Sequence, residues 1–128
     1  MSASARVHEL VEAKLTGRVC DVVAFMDAFL EIVAAAGGVH CCMAGTRGLH
    51  FDWPDGSSCE VEVDSARGKL RTLCARLSVL CSAASPYGGE GTIRFEPTSD
   101  NNTAHLLVRF QNTLADHQFT ITPAKIDS

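Results

Sequence analysis

From residue 39 to residue 63 the apolar side chains fall at every second position. Val39, Cys41 and Met43 come first, then Leu49, Phe51 and Trp53, then Cys59, Val61 and Val63, with His40, Cys42, His50, Asp52, Glu60 and Glu62 between them. Successive side chains of a strand point to opposite faces, so this pattern predicts a three-stranded antiparallel meander with one apolar and one polar face. Gly45-Thr46-Arg47-Gly48 and Pro54-Asp55-Gly56-Ser57 supply the turns. Pairing Met43 with Leu49 and Phe51 with Val61 keeps the apolar residues on one face. It also sets His50 opposite Glu62, and Asp52 opposite both His40 and Glu60.

Helical spacing brackets this meander. Val22, Met26, Phe29, Leu30 and Val33 line one face of a helix over residues 19–36, with Asp21, Asp27 and Glu31 on the wet side. Gly37-Gly38 stops it. A second helix over 66–83, capped by Asp64 or Ser65, carries Leu70, Leu73, Cys74, Leu77, Leu80 and Cys81 at spacings of three and four. The N-terminal Val7, Leu10, Val11, Lys14 and Leu15 fit a short helix, with an extended 10–15 as the alternative.

A second meander follows. Ile93 and Phe95, then Leu106, Val108 and Phe110, then Phe119 and Ile121 alternate again, with a polar turn at 98–103 and a tail from 124. The order helix then meander thus occurs twice. The expected fold is one α+β domain over 1–128: two antiparallel β-meanders with two long helices packed on one sheet face.

Composition changes this picture little. The chain has 128 residues, 46% hydrophobic and 20% charged, with a net charge of −4. That balance disfavours bulk non-specific affinity for nucleic acid. No signal-peptide pattern opens the sequence, and no apolar run reaches the roughly 20 residues of a membrane helix. A cytoplasmic or nuclear protein with no membrane partner is the default. The six cysteines then read as reduced thiols, because Cys41, Cys59, Cys74 and Cys81 sit at core positions and no spacing suits zinc.

Candidate chemistry is sparse. His40, Cys42, His50 and Asp52 share the polar face of the first meander and are the weak candidates for a divalent metal. A flat sheet face offers no concavity, so no cofactor or metal is assigned. Cys42, expected to be the one solvent-facing cysteine, has His40 or His50 as a potential base but no third orienting group and no oxyanion donor. The glycines of Tyr87-Gly88-Gly89-Glu90-Gly91 lack the lysine and hydroxyl of a phosphate loop, and Asn101-Asn102-Thr103 matches the glycosylation pattern by chance. Arg67, Lys69, Arg71 and Arg76 gather four of the basic residues on one helix, a potential phosphate-facing stripe. Phe25 and Ile32 lie outside the main apolar line of their helix and mark a candidate interface, unless the segment 7–15 folds back over them.

The order of elements resembles half of a DNA sliding clamp of the proliferating-cell-nuclear-antigen and checkpoint-clamp type. The similar stretches are Leu49-His50-Phe51-Asp52-Trp53, the helix through 70–80, and 92–119 with its turns. The resemblance implies that the helix 66–83 faces DNA, with Arg67, Lys69, Arg71 and Arg76 toward phosphates. It departs from the clamp pattern in lacking one strand before that helix and in the acidic Asp21, Asp27 and Glu31 of the other.

No convergent set of acid, base and nucleophile emerges. The expected function is therefore a non-catalytic binding or assembly module, with a protein partner or a homo-oligomer. The alternatives are a clamp-like DNA-associated subunit, and a small metal- or thiol-dependent enzyme using the polar face of the first meander.

Overall fold

The computed structural model describes residues 2–16, 20–81, 88–96, 104–111 and 117–124. The elements run α1 (Ala3–Lys14), α2 (Val22–Ala36), β1 (Val39–Ala44), β2 (Gly48–Asp52), β3 (Ser58–Glu62), α3 (Ala66–Leu80), β4 (Gly88–Phe95), β5 (Ala104–Gln111) and β6 (Phe119–Pro123). The architecture is α+β, as the alternation predicts. The expected turn at 98–103, the site Asn101-Asn102-Thr103, and the tail beyond Ala124 lie outside the described residues.

The N-terminal segment is helical. Ser2 caps it, its Oγ accepting from the Ala5 amide at 3.1 Å, and Val7, Val11 and Leu15 fall on one buried line. Asp21 caps α2 through Oδ1 and the Ala24 amide, 3.0 Å apart. At the far end Gly37 turns left-handed (φ 85°), and the amides of Gly37 and Gly38 both return to the Val33 carbonyl. α3 lacks such help at its start. Ser65 stands at the cap position in a left-handed conformation (φ 55°), and its side chain makes no capping bond.

The two meanders join into one six-stranded antiparallel sheet of order β3-β2-β1-β6-β5-β4. The seam is β1 against β6, with Val39 opposite Ile121 and Cys41 opposite Phe119. Gly38 makes the approach possible: a Cβ there would stand 2.7 Å from the Ile121 carbonyl oxygen. The repeated order helix–meander is therefore not a two-fold repeat, since exchanging the halves would place β3 beside β4.

Within the first meander Met43 does pair with Leu49. The β2–β3 register differs from expectation: Phe51 faces Cys59, Leu49 faces Val61 and His50 faces Glu60. The cause is the turn. Gly56, at φ 91°, donates to the Trp53 carbonyl at 3.0 Å, and the Trp53 amide donates to Ser57 at 2.9 Å. This closes a loop of Pro54, Asp55 and Gly56, a type I turn followed by a left-handed glycine, and slides β3 by two residues. A two-residue slide preserves the faces.

The helices cover the face carrying Val39, Cys41, Leu49, Phe51, Val61, Val108, Phe119 and Ile121, all buried in one core. Phe29 is its hub, with ring centroids 5.3 Å from Phe25, 5.8 Å from Phe51 and 6.3 Å from Phe119, the last edge-on.

Candidate functional site

The face of the sheet turned away from the helices carries the polar residues. His50 lies between two carboxylates, Nε2 at 2.9 Å from Asp52 Oδ1 and Nδ1 at 3.4 Å from Glu60 Oε1. Cys42 stands opposite His50 across the β1–β2 ladder, and His40 opposite Asp52. His40 instead turns Nδ1 to Thr120 Oγ1 at 2.8 Å. The structure thus brings His50, Asp52 and Glu60 together, and ties His40 across the seam to a residue that the sequence reading passed over. Each ring nitrogen of His50 faces a carboxylate, which leaves neither directed at the Cys42 thiol as an activating base. Among the described residues no three His, Cys, Asp or Glu side chains are grouped so as to hold a metal ion.

None of the six cysteines is in a disulfide. Cys41, Cys74 and Cys81 are buried, Cys42 and Cys59 half-buried, and Cys20 exposed. The expectation that Cys42 alone meets solvent is therefore corrected. Cys20 precedes α2, whose first residue is Val22, and so escapes the apolar face of that helix. Burial pushes the Cys41 thiol well above its ordinary value, with Cys74 and other neighbouring thiols adding to the shift. Burial likewise raises Cys74, to about 12. Such thiols are inert at neutral pH.

The basic residues of α3 do not form one stripe. At about 100° per residue, Arg67 and Arg71 project on one flank of the buried line and Lys69 and Arg76 on the other. Gly68, Thr72, Ala75 and Val79 lie between them on the solvent side. Lys69 donates Nζ to the Asp64 carbonyl at 3.0 Å, and Arg71 donates Nε to Nε2 of buried His117 at 2.9 Å. Nε of Arg76 is buried and has no acceptor among the described residues. His117 escaped the sequence reading. The signal was present, because 117, 119 and 121 share one period and Phe119 and Ile121 face the core.

Phe25 and Ile32 are 0% and 4% exposed. α1 packs on α2 and buries Val7, Val11 and Leu15 in the same core, so the apolar width of α2 is absorbed within the chain. The candidate interface at these two residues is corrected accordingly. Val23 and Val79 are the large apolar side chains left exposed among the described residues. Among the described residues, no helix is long and apolar enough to cross a membrane.

A shallow groove of about 340 Å³ opens at the end of the sheet, between Gly38, His40, Asp52, Trp53, Pro54 and Thr122. The Trp53 indole N–H nearby is buried and finds no acceptor among the described residues.

The two rims of the sheet differ. β3 spans five residues, presents Glu60 and Glu62, and has α1 beside it, with Cys59 Sγ 4.0 Å from the Ser4 carbonyl. Short length, charge and a covering helix all blunt an edge. β4 spans eight residues and contains neither proline nor lysine. Its hydrogen-bonding direction follows from the neighbouring ladder. Gln111 donates to the Gln118 carbonyl at 3.1 Å and Ala124 to His105 at 2.7 Å, so the odd residues of β5 bond toward β6 and the even ones toward β4. Leu106 and Val108 pair with Ile93 and Gly91. The odd residues of β4 are thereby used, and Glu90, Thr92 and Arg94 turn their amides and carbonyls to the rim, where no strand among the described residues pairs with them.

Comparison with known protein families and with curated proteins finds no match for this chain.

Proposed function

We propose that the chain is a non-catalytic binding module that acts through protein–protein contacts, with the rim of β4 as its docking line. One observation carries this reading: an eight-residue outer strand offers the backbone groups of Glu90, Thr92 and Arg94 to another strand. Backbone pairing along such an edge supplies affinity, and the alternate side chains supply specificity. The chemistry of the polar face agrees, since His50 is engaged by Asp52 and Glu60 rather than by a nucleophile. Six cysteines outside any disulfide suit a reducing compartment, cytoplasmic or nuclear.

The test is affinity purification of the full chain beside Thr92→Pro. Proline at 92 deletes an outward amide and leaves the ladder to β5 intact. Partners held by the native chain should be absent from the variant while its thermal unfolding stays cooperative. An unchanged set of partners would overturn the reading.

A further inference from the structure

The two rims would accept different strands, and the sequence of β4 is complementary to itself. Antiparallel pairing of two edges requires outward-turned residues to face outward-turned residues. For two copies of β4 this leaves registers centred on residue 91, 92 or 93. Centred on Gly91, Glu90 faces Thr92 and Arg94 faces Gly88. Centred on Ile93, Glu90 meets Glu96 of the second copy, a like-charge contact. Centred on Thr92, Glu90 faces Arg94 twice over, once on each side of the axis, and Thr92 faces Thr92. Opposite charges and paired threonines are favourable cross-strand neighbours. On the other face the same register sets Gly91 against Ile93, small against large. Gly91 is fixed by its own chain, because a Cβ there would lie 2.6 Å from the Cys81 carbonyl oxygen at the end of α3. β3 has no such register: its outward residues are Ser58, Glu60 and Glu62, and centring on 60 or 61 opposes carboxylates.

We infer that the partner at the β4 rim is a second copy of this chain, paired antiparallel about Thr92 into a continuous twelve-stranded sheet. This rests on the reading of β4 as a docking line. The contact is isologous, each copy giving Glu90 to the other's Arg94. Glu90 already holds Arg109 of its own chain, Nε to Oε2 at 3.1 Å, with both side chains more than half exposed. Arg94 of the second copy would complete an Arg–Glu–Arg row across the seam. Each outward pair exchanges two backbone hydrogen bonds, at Thr92 and at both Glu90–Arg94 positions.

The experiment uses the purified full chain alone. Light scattering from micromolar to submillimolar concentration should show a dimer. Arg94→Glu, which places like charges at both symmetric positions, should weaken it about tenfold. The exchange Glu90→Arg with Arg94→Glu should restore it, because the pairs re-form with signs reversed. In a Cys20→Ser background, Thr92→Cys should cross-link to a covalent dimer under mild oxidation, since facing Cα atoms of a bonded pair stand about 5.5 Å apart, within disulfide range. The background without Thr92→Cys should not cross-link. A monomer throughout, or a dimer indifferent to Arg94→Glu whose Thr92→Cys form stays uncoupled, overturns the self-pairing. If the chain is monomeric and Thr92→Pro still strips its co-purifying proteins, self-pairing fails and the binding-module reading stands. If Thr92→Pro strips nothing from a monomeric chain, both fail.

Discussion

Arg71 donates Nε–H to Nε2 of His117 over 2.9 Å and so fastens the flank of α3 to the segment entering β6. His117 is 4% exposed, and its accepting nitrogen has left water to take this donor. Arg71→Ala should therefore cost roughly 1–3 kcal/mol, the penalty for a buried polar atom left unmet. Arg6→Ala, at an exposed position of α1, should stay within about 0.5 kcal/mol of the native chain. Urea unfolding of both variants measures the difference. Equal effects would mean that Arg71 is merely a surface charge.

The aromatic hub sets the next expectation. Phe29→Ala should cost roughly 3–5 kcal/mol, because three rings lose their common neighbour. His50→Ala, with a side chain 24% exposed and paired with exposed carboxylates, should cost less than about 1 kcal/mol. Phe25→Asp should unfold the chain rather than dissociate an assembly, since Phe25 is interior. Retention of a native melt by Phe25→Asp would contradict the packing of α1 on α2.

Thiol labelling at neutral pH should begin at Cys20, with Cys41 and Cys74 protected until the chain unfolds. Alkali gives the matching equilibrium result. An unfolded thiol ionises near 9.0, whereas folded Cys74 holds its proton to about 12. The stabilisation is whole below pH 9 and drains away as pH rises toward 12, because the unfolded state sheds a proton that the folded state keeps. The urea midpoint should fall across that window, and fall less steeply in Cys74→Ala. A midpoint with the same alkaline slope in both proteins would remove Cys74 from the account.

Two glycines separate space from flexibility. Gly38 has φ 136° and no room for a Cβ beneath Ile121, so Gly38→Ala should destabilise by at least roughly 1–3 kcal/mol. Gly68 has nothing within 4 Å of its would-be Cβ and sits in α3. Gly68→Ala should stabilise by roughly 0.5–1 kcal/mol. Thermal melts decide; a stabilised Gly38→Ala would refute the close approach of β1 to β6.

Which face each strand buries was legible in the sequence, because period two survives any even slide of register. That is why the Phe51–Cys59 pairing could differ from expectation while Phe51 and Leu49 remained buried. The slide itself depends on Gly56 adopting φ 91° and shortening the turn, a backbone choice that the residues Pro54-Asp55-Gly56-Ser57 allow without dictating. The β1–β6 seam was illegible for another reason. Alternation tells which side of a strand is apolar but not which strand lies beside it, and His40 and Thr120 are far apart in the chain. The same limit hid Arg71–His117, whose partners lie 46 residues apart. Phe25 and Ile32 read in the sequence as surplus apolar width; α1, whose pattern admits either helix or strand, packs on α2 as a helix, and both residues are buried.

The seam between β1 and β6 also orders events in time. β1 comes first among the six described strands and sits at the middle of the sheet, yet one of its two neighbours, Phe119–Pro123, comes last among them. A growing polypeptide therefore carries β1 with one side bare while β2, β3, α3, β4 and β5 are made. Closure comes at the centre, and it comes last. A chain ending before Phe119 is then not a smaller version of this fold but two unfinished sheets, each with a raw inner border seeking any strand at hand.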